Sequence, residues 1–232
     1  MHKLMLMSAT YRQSSAAADV RRLTSKVASK SAGNSQSRLT SAATGSGIDP
    51  DNKLFSRMNR VRLEGEVIRD SLLAISGQLN PAMGGPGVFP PVPKEIIRGS
   101  MGGWPQSDRA SEYSRRSIYI FARRNLRFPF LEVFDAPDNN LSCPVRGQST
   151  TAPQSLTLLN AEEVTTAAKL TAARLKPEGR SIEEQIMQAY RLILGRAPTA
   201  KELSLARGFL AQSPLDEFCR ALFNLNDFVY VE

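Results

Sequence analysis

The last third of the chain carries two Ser/Thr-x-x-Glu boxes, Ser181 to Glu184 and Thr199 to Glu202, with Gly195 between them and Ser213-Pro214 after them. In such a box the hydroxyl takes a backbone N–H of the first helical turn, and the glutamate reaches back to the N–H of the capping residue. Glycine just past a helix supplies the left-handed stop. Starts and stops this closely spaced dictate short antiparallel helices. The apolar spacing agrees. Ile182, Ile186, Ala189, Tyr190, Ile193 and Leu194 share one face of the first helix, and Leu203, Ala206 and Leu210 share one face of the next. After Pro214, Leu215, Phe218, Cys219, Leu222 and Phe223 repeat the pattern. Asn160, with Glu163 three residues on, reads as the cap of an earlier helix that turns Val164, Ala168, Thr171 and Leu175 inward. Phe228–Val231 is read as a short extended tail that packs back. Residues 160–232 therefore predict an antiparallel helical bundle.

Asp49-Pro50 opens a longer helical pattern, read as one helix over 50–79. Leu54, Met58, Val61, Gly65, Ile68, Leu72, Ile75 and Leu79 place one stripe along it, interrupted in bulk at Gly65. Arg60 with Glu64 and Arg62 with Glu66 are read as i,i+4 pairs on its wetter side. Gly77, Asn80 and Pro81 end it. Residues 80–112 hold six prolines and six glycines, which excludes helix over most of them. Trp104 is expected to anchor that stretch to the core. Ser117–Phe121 is β-branched and aromatic and reads as a strand. Phe130–Phe134 is a second strand or one helical turn, and Asp135–Pro153 a polar loop. The fold class expected is mainly α: a helical bundle with a small two- or three-strand element near 115–135, against which the long helix lays its stripe.

The N-terminal stretch is different material. Leu4–Tyr11 resembles the end of a helix entered in mid-stream, which gives the expectation of a truncated copy of a longer parent. Residues 14–47 are rich in Ser, Ala, Thr and Gly and bury too little apolar surface to offset their ordering entropy. The organisation expected is a helix tail at 1–13, a flexible low-complexity insertion at 14–48, and one mainly helical domain at 49–232. The net charge of +8 is concentrated at the N-terminus, where residues 1–48 carry seven basic residues and one acidic. The parts expected to fold are nearly neutral, which argues against a nucleic-acid-binding face. No apolar run reaches the ~18–20 residues of a bilayer span, and Met1–Met7 is too short for a signal-peptide core.

The sequence excludes several chemistries. Covalent c-type haem needs Cys-x-x-Cys-His, whereas Cys143 and Cys219 stand far apart and His2 is the sole histidine. Zinc lacks ligands, and there is no phosphate-binding loop, nucleophile elbow or histidine base. No metal or cofactor is expected in this chain. The candidate ligand or partner loop gathers Asp135, Asp138, Cys143, Arg146, Ser149, Thr150 and Gln154. The plainer reading is that Asp and Asn form local turns while Arg146 pairs with a carboxylate. A calcium site using Asp135 and Asp138 is a third. A supporting cluster is read at Tyr11, Arg12, Gln13, Arg115, Arg116 and Tyr119.

Several stretches together carry a family resemblance. They include Ser-Ala-Thr-Tyr-Arg-Gln-Ser-Ser (8–15), Arg-Leu-Glu-Gly-Glu-Val-Ile-Arg-Asp-Ser-Leu-Leu (62–73), Arg-Arg-Ser-Ile-Tyr (115–119) and Phe-Asp-Ala-Pro-Asp (134–138). Further on come Ser-Thr-Thr-Ala-Pro-Gln-Ser-Leu (149–156), Leu-Gly-Arg-Ala-Pro-Thr (194–199) and Ala-Leu-Phe-Asn-Leu-Asn-Asp-Phe-Val-Tyr-Val (221–231). The chain resembles the planctomycete secreted-domain family of unknown function, outside residues 16–48. That resemblance implies an exported, extracytoplasmic bacterial protein, C-terminal to a cytochrome-c-like module in a longer parent. It implies no established activity. The reading that follows is a non-catalytic interaction or structural module whose partners are the other domains of that parent. One alternative is an enzyme or binding domain acting on extracellular polysaccharide through Asp135, Asp138 and Arg146. Another is polyanion binding through the basic segment 12–38.

Overall fold

A computed structural model describes residues 53, 58–93, 103–124, 126–176 and 181–231. The chain divides into two compact units, Met1–Val61 with Glu232, and Arg62–Val231. In the first, Met58 and Val61 are exposed. The second is mainly α, as the caps and periods predict. Among the described residues it contains α1 (Gly65–Ser76), α2 (Ala110–Tyr113), α3 (Pro129–Val133), α4 (Ala152–Asn160), α5 (Glu162–Leu175), α6 (Ile182–Leu194), α7 (Ala200–Leu210), α8 (Leu215–Phe223) and α9 (Asn226–Val229). One two-stranded antiparallel sheet joins β1 (Val61–Arg62) and β2 (Tyr230–Val231). The Leu63 amide donates to the Val229 carbonyl beside it at 2.8 Å.

Capping chemistry builds the C-terminal helices. Ser181 N–H donates to Glu184 Oε2 at 2.9 Å, and Thr199 N–H to Glu202 Oε2 at 2.7 Å, both in complete capping boxes. Gly195 closes α6 with φ +69°. The apolar stripe of α8 buries Leu215, Phe218, Cys219, Leu222 and Phe223. This face packs on α5, whose Val164, Ala168, Thr171 and Leu175 are buried as expected. Helix α1 crosses α5 through Ile68 and Leu72. Arg174 on α5 donates to the Ala74 carbonyl at 3.2 Å and to Ile75 as well, capping the open carbonyl end of α1 with a cation. Arg196 is clamped between Glu202 (2.7 Å) and Asp227 (2.6 Å), joining the start of α7 to α9. Its side-chain hydrogen bonds outweigh burial and hold the Glu202 carboxyl down at about 2.

Several expectations need correction. Of the helix read over 50–79, residues 50–52 and 54–57 lie outside the described residues, 58–64 are not helical, and the helix runs over Gly65–Ser76. Its first residue packs tightly: a Cβ at Gly65 would sit 2.9 Å from Phe134 Cβ. Val61–Arg62 is strand, so neither proposed i,i+4 pair stands on a helix; Arg62 pairs with Asp135 and Glu66 with Arg146. Ser117–Phe121 is not a strand. Ser117–Tyr119 makes a 3-10 turn, and Ile118 is 72% exposed. Only isolated bridges remain there, Asn80 to Arg115 and Val88 to Ile120. Phe130–Phe134 takes the helical alternative as α3. Asn160 ends α4 instead of capping α5, and Ile182 is exposed. Of the tail expected to be extended, Phe228 and Val229 belong to the helical turn Asn226–Val229, whereas Tyr230–Val231 is extended, as strand β2. Trp104 does anchor its segment: buried, it donates from Nε1 to the Pro90 carbonyl at 2.7 Å and meets Phe89 edge-on.

The glycines of α1 and α7, Gly65 and Gly208, should respond oppositely to alanine. Gly65→Ala is expected to destabilise by about 1–3 kcal/mol, because Phe134 and Leu131 leave no room. Gly208→Ala on α7 meets nothing within 4 Å and should stabilise by about 0.4–1 kcal/mol. Urea denaturation of both variants checks the pair; equal effects would contradict the packing described.

Candidate functional site

The centre of the predicted loop is an ionic knot based on β1. Arg62 is buried, and its Nη2 donates to Asp135 Oδ2 at 2.6 Å and to the Phe134 carbonyl at 3.4 Å. Asp135 follows α3 in the left-handed region, with φ +61°. Such a conformation suits Asp and Asn better than other side-chain-bearing residues. It receives Ser149 N–H at 2.8 Å, Ser149 Oγ–H at 2.7 Å and Gln154 Nε2 at 3.4 Å. Gln154 also donates to the Val133 carbonyl at 3.1 Å, while its Oε1 accepts Thr151 N–H at 3.3 Å. That last bond is the reaching-back half of a capping box, so one side chain both starts α4 and closes the loop. Burial pushes the Asp135 carboxyl up, but the Ser149 hydrogen bonds, Arg62 and Gln154 outweigh it and hold the group below its ordinary value. The loop is therefore cinched at its base by a carboxylate that stays ionised.

The remaining predicted residues do different things. Asp138 accepts Asn140 N–H at 3.0 Å in an exposed turn. That backbone bond keeps its carboxyl low as well. Cys143 is an exposed free thiol that donates to the Val145 carbonyl at 3.3 Å. Arg146 bridges Glu66 at 2.9 Å and Glu64 at 3.2 Å. Thr150 meets the Tyr230 hydroxyl at 2.9 Å. Asp135, Ser149 and Gln154 thus converge, Arg146 lies across a small crevice it shares with Asp135, and Asp138 and Cys143 sit out on the loop. Cys219 is buried in α8, which pushes its thiol up to about 12 and keeps it protonated.

Arg115, Arg116 and Tyr119 form a second cluster; Tyr11, Arg12 and Gln13 lie outside the described residues. Arg115 is buried over the Tyr119 ring, 4.1 Å from its centroid. It donates to the carbonyls of Gly84, Ala82 and Pro86, so the glycine turn wraps the guanidinium. Tyr119 Oη accepts the Gly84 N–H at 2.9 Å. Arg116 faces Asp70 at 3.8 Å.

Sequence reasoning missed the residue that joins these parts. Arg69 on α1 is buried among apolar side chains, 5.4 Å from the centroid of the Phe128 ring. It donates to the Tyr113 carbonyl at 2.6 Å, Ser117 Oγ at 3.2 Å and the Arg115 carbonyl at 3.3 Å. Glu163 of α5 lies 3.7 Å from its Nε; burial raises the Glu163 carboxyl and Arg69 opposes that rise. A signal for it was present. Position 69 stands four after Gly65 and three before Leu72, on the apolar face itself.

Fold and site together define a helical domain whose irregular loops are fixed by buried arginines. Among the described residues no three His, Cys, Asp or Glu gather as a metal group. The chain belongs to the family PSD1, protein of unknown function (DUF1553), whose model matches residues 1–210. No curated protein and no solved structure matches it.

The Asp135 knot gives a pH signature. A carboxyl held below the ordinary 3.8 contributes stability that is complete above that value and lost as pH falls through its folded value. Asp135→Asn keeps the backbone preference but leaves Arg62 without its charge partner. The expected loss near neutrality is about 1–3 kcal/mol, discounted from a fully buried pair because the Asp135 side chain is a quarter exposed. Urea melts between pH 7 and pH 3 should show the gap between wild type and variant narrowing at the acid end. A gap constant with pH would refute the ionised knot.

Proposed function

We propose that this domain is a non-catalytic interaction or structural module of an exported, redox-associated bacterial envelope protein. One observation carries the non-catalytic half: the loop's polar groups are engaged in holding the loop. Asp135 is committed to Arg62 and Ser149, Asp138 to its own turn, and Arg146 to Glu64 and Glu66. General acid–base catalysis by two carboxyl groups calls for one near-neutral acid beside one ionised base. Here both Asp135 and Asp138 are held low, Asp135 at the base of the loop and Asp138 in an exposed turn. The envelope and redox half is supported by the stretches that resemble the secreted-domain family, which keeps company with cytochrome-c-like modules. The polyanion alternative concerns residues 12–38, outside the described part.

Affinity purification of the tagged native protein from fractionated cells tests this reading. The expected result is recovery from the envelope fraction together with haem-staining protein, whether on the same polypeptide or a bound one. Recovery confined to the cytosol would contradict it.

A further inference from the structure

Outside the ionic knot, a groove of about 450 Å³ lies between the start of α1 and the segment 116–128. That size falls within the range of small-molecule sites. Its base is closed by Phe128 and Leu131, both buried. Val67, Ile118 and Phe121 line it while remaining 43%, 72% and 47% exposed. Apolar side chains collected in a rimmed depression differ from the scattered apolar surface of an ordinary domain.

The charges around this apolar surface identify the ligand class. Glu64, Glu66 and Asp70 face the groove from α1 and the residue before it, together with Arg116, Arg123, Arg127 and Arg146. The signs nearly cancel, and several of these groups are already matched: Arg116 with Asp70 at 3.8 Å, and Arg146 with Glu66 at 2.9 Å. Neither a strong anion nor a strong cation finds an unopposed counter-charge here. The lining suits a neutral molecule with many hydroxyls and one apolar face. Carboxylates accept from hydroxyls and guanidinium groups donate to them, so mixed ion pairs can serve both sides of a hydroxyl without net charge.

The aromatic element is fixed in advance. Phe121 stacks on Phe89 with centroids 4.8 Å apart and planes 27° from parallel. Its amide donates to the Val88 carbonyl at 2.9 Å. A Cβ on Gly87 would come within 3.3 Å of the Phe121 ring, so glycine there lets the ring lie against the backbone. Arg115 in turn holds the 82–86 turn that leads into this strip. We infer that the groove binds a neutral glycan, with a sugar ring's C–H face on Phe121 and its hydroxyls shared among Glu66, Asp70 and Arg116. This inference goes beyond the envelope-module reading, involves no bond cleavage, and stands or falls independently of a redox partner.

The test uses the 232-residue chain and a panel of neutral hexasaccharides: cellohexaose, laminarihexaose, maltohexaose, mannohexaose, xylohexaose and chitohexaose. Titration is followed by calorimetry and by fluorescence of Trp104, whose ring meets Phe89 behind the platform. Saturable binding to at least one glycan, unchanged by added sodium chloride, is expected. Phe121→Ala should weaken it on the order of tenfold, the size of losing one aromatic face. Glu66→Gln should weaken it too, and Leu205→Ala, at an exposed position of α7, should leave it unchanged. Thermal melts of each variant separate lost binding from lost folding. Should Phe121→Ala fail to fold, Glu66→Gln carries the test alone. Absence of binding across the panel overturns the inference, as does equal affinity in the folded groove variants. Polygalacturonate is titrated alongside as an anionic control; binding confined to it and abolished by salt would overturn the inference in favour of a polyanion.

Discussion

The Arg69 guanidinium is the contact on which the irregular half of this domain depends. It leaves the apolar face of α1, passes Phe128, and ends among two carbonyls, a hydroxyl and the Glu163 carboxylate. Placing a cation in that position costs several kcal/mol in desolvation, recovered only through good hydrogen bonds. Arginine suits the task better than lysine because its planar fork presents five donors in fixed directions. Three of the acceptors fall within residues 113–117, between the end of α2 and the 3-10 turn, so satisfying the cation also fixes that bend of the chain. From there the order propagates. The Arg115 carbonyl is held by Arg69, the Arg115 side chain holds the glycine turn, and the turn leads to the strip against which Phe121 rests. Arg62 repeats the device on the other side, with Asp135 in the role of anchor.

This division of labour explains what the sequence made legible. Caps and helical periods are local, and α6, α7 and α8 follow them almost residue by residue. Cys219 and Phe223 were placed in the core by spacing alone, and both are fully buried. Errors fall where a distant contact decides the conformation. Ser117–Phe121 has strand composition, but Arg69 and Asp70 capture Ser117 and bend the chain into a turn. Residues 58–62 continue a helical stripe, yet Arg62 is drawn to Asp135 and the helix begins three residues later. Helix α4 was hidden for a different reason. Thr151, Pro153 and Gln154 are a legible start signal, but they sat inside a stretch read as one polar loop.

The candidate loop was half legible. Asp135, Ser149 and Gln154 do come together, around an arginine that sequence spacing had assigned to a helix surface. Their clustering in sequence reflects a loop that must be closed at its base, a structural demand that imitates the composition of an active site. The more open chemistry lies in the neighbouring groove, where Arg146 and the α1 carboxylates meet exposed aromatic and aliphatic surface. Both regions rest on the same framework of buried arginines, so binding at the groove and stability of the loops are physically linked through α1.

Hydrogen exchange of Arg69→Met compared with wild type tests that framework most directly. Methionine keeps much of the apolar stem and removes the donors. The framework predicts that the amides of Asn80, Val88 and Phe121, which pair across the loops, lose protection by at least about tenfold beyond any change in α5 and α8. Unchanged protection at those three amides, or a uniform loss across loops and helices alike, would contradict the claim that Arg69 fixes the loops to the helical core.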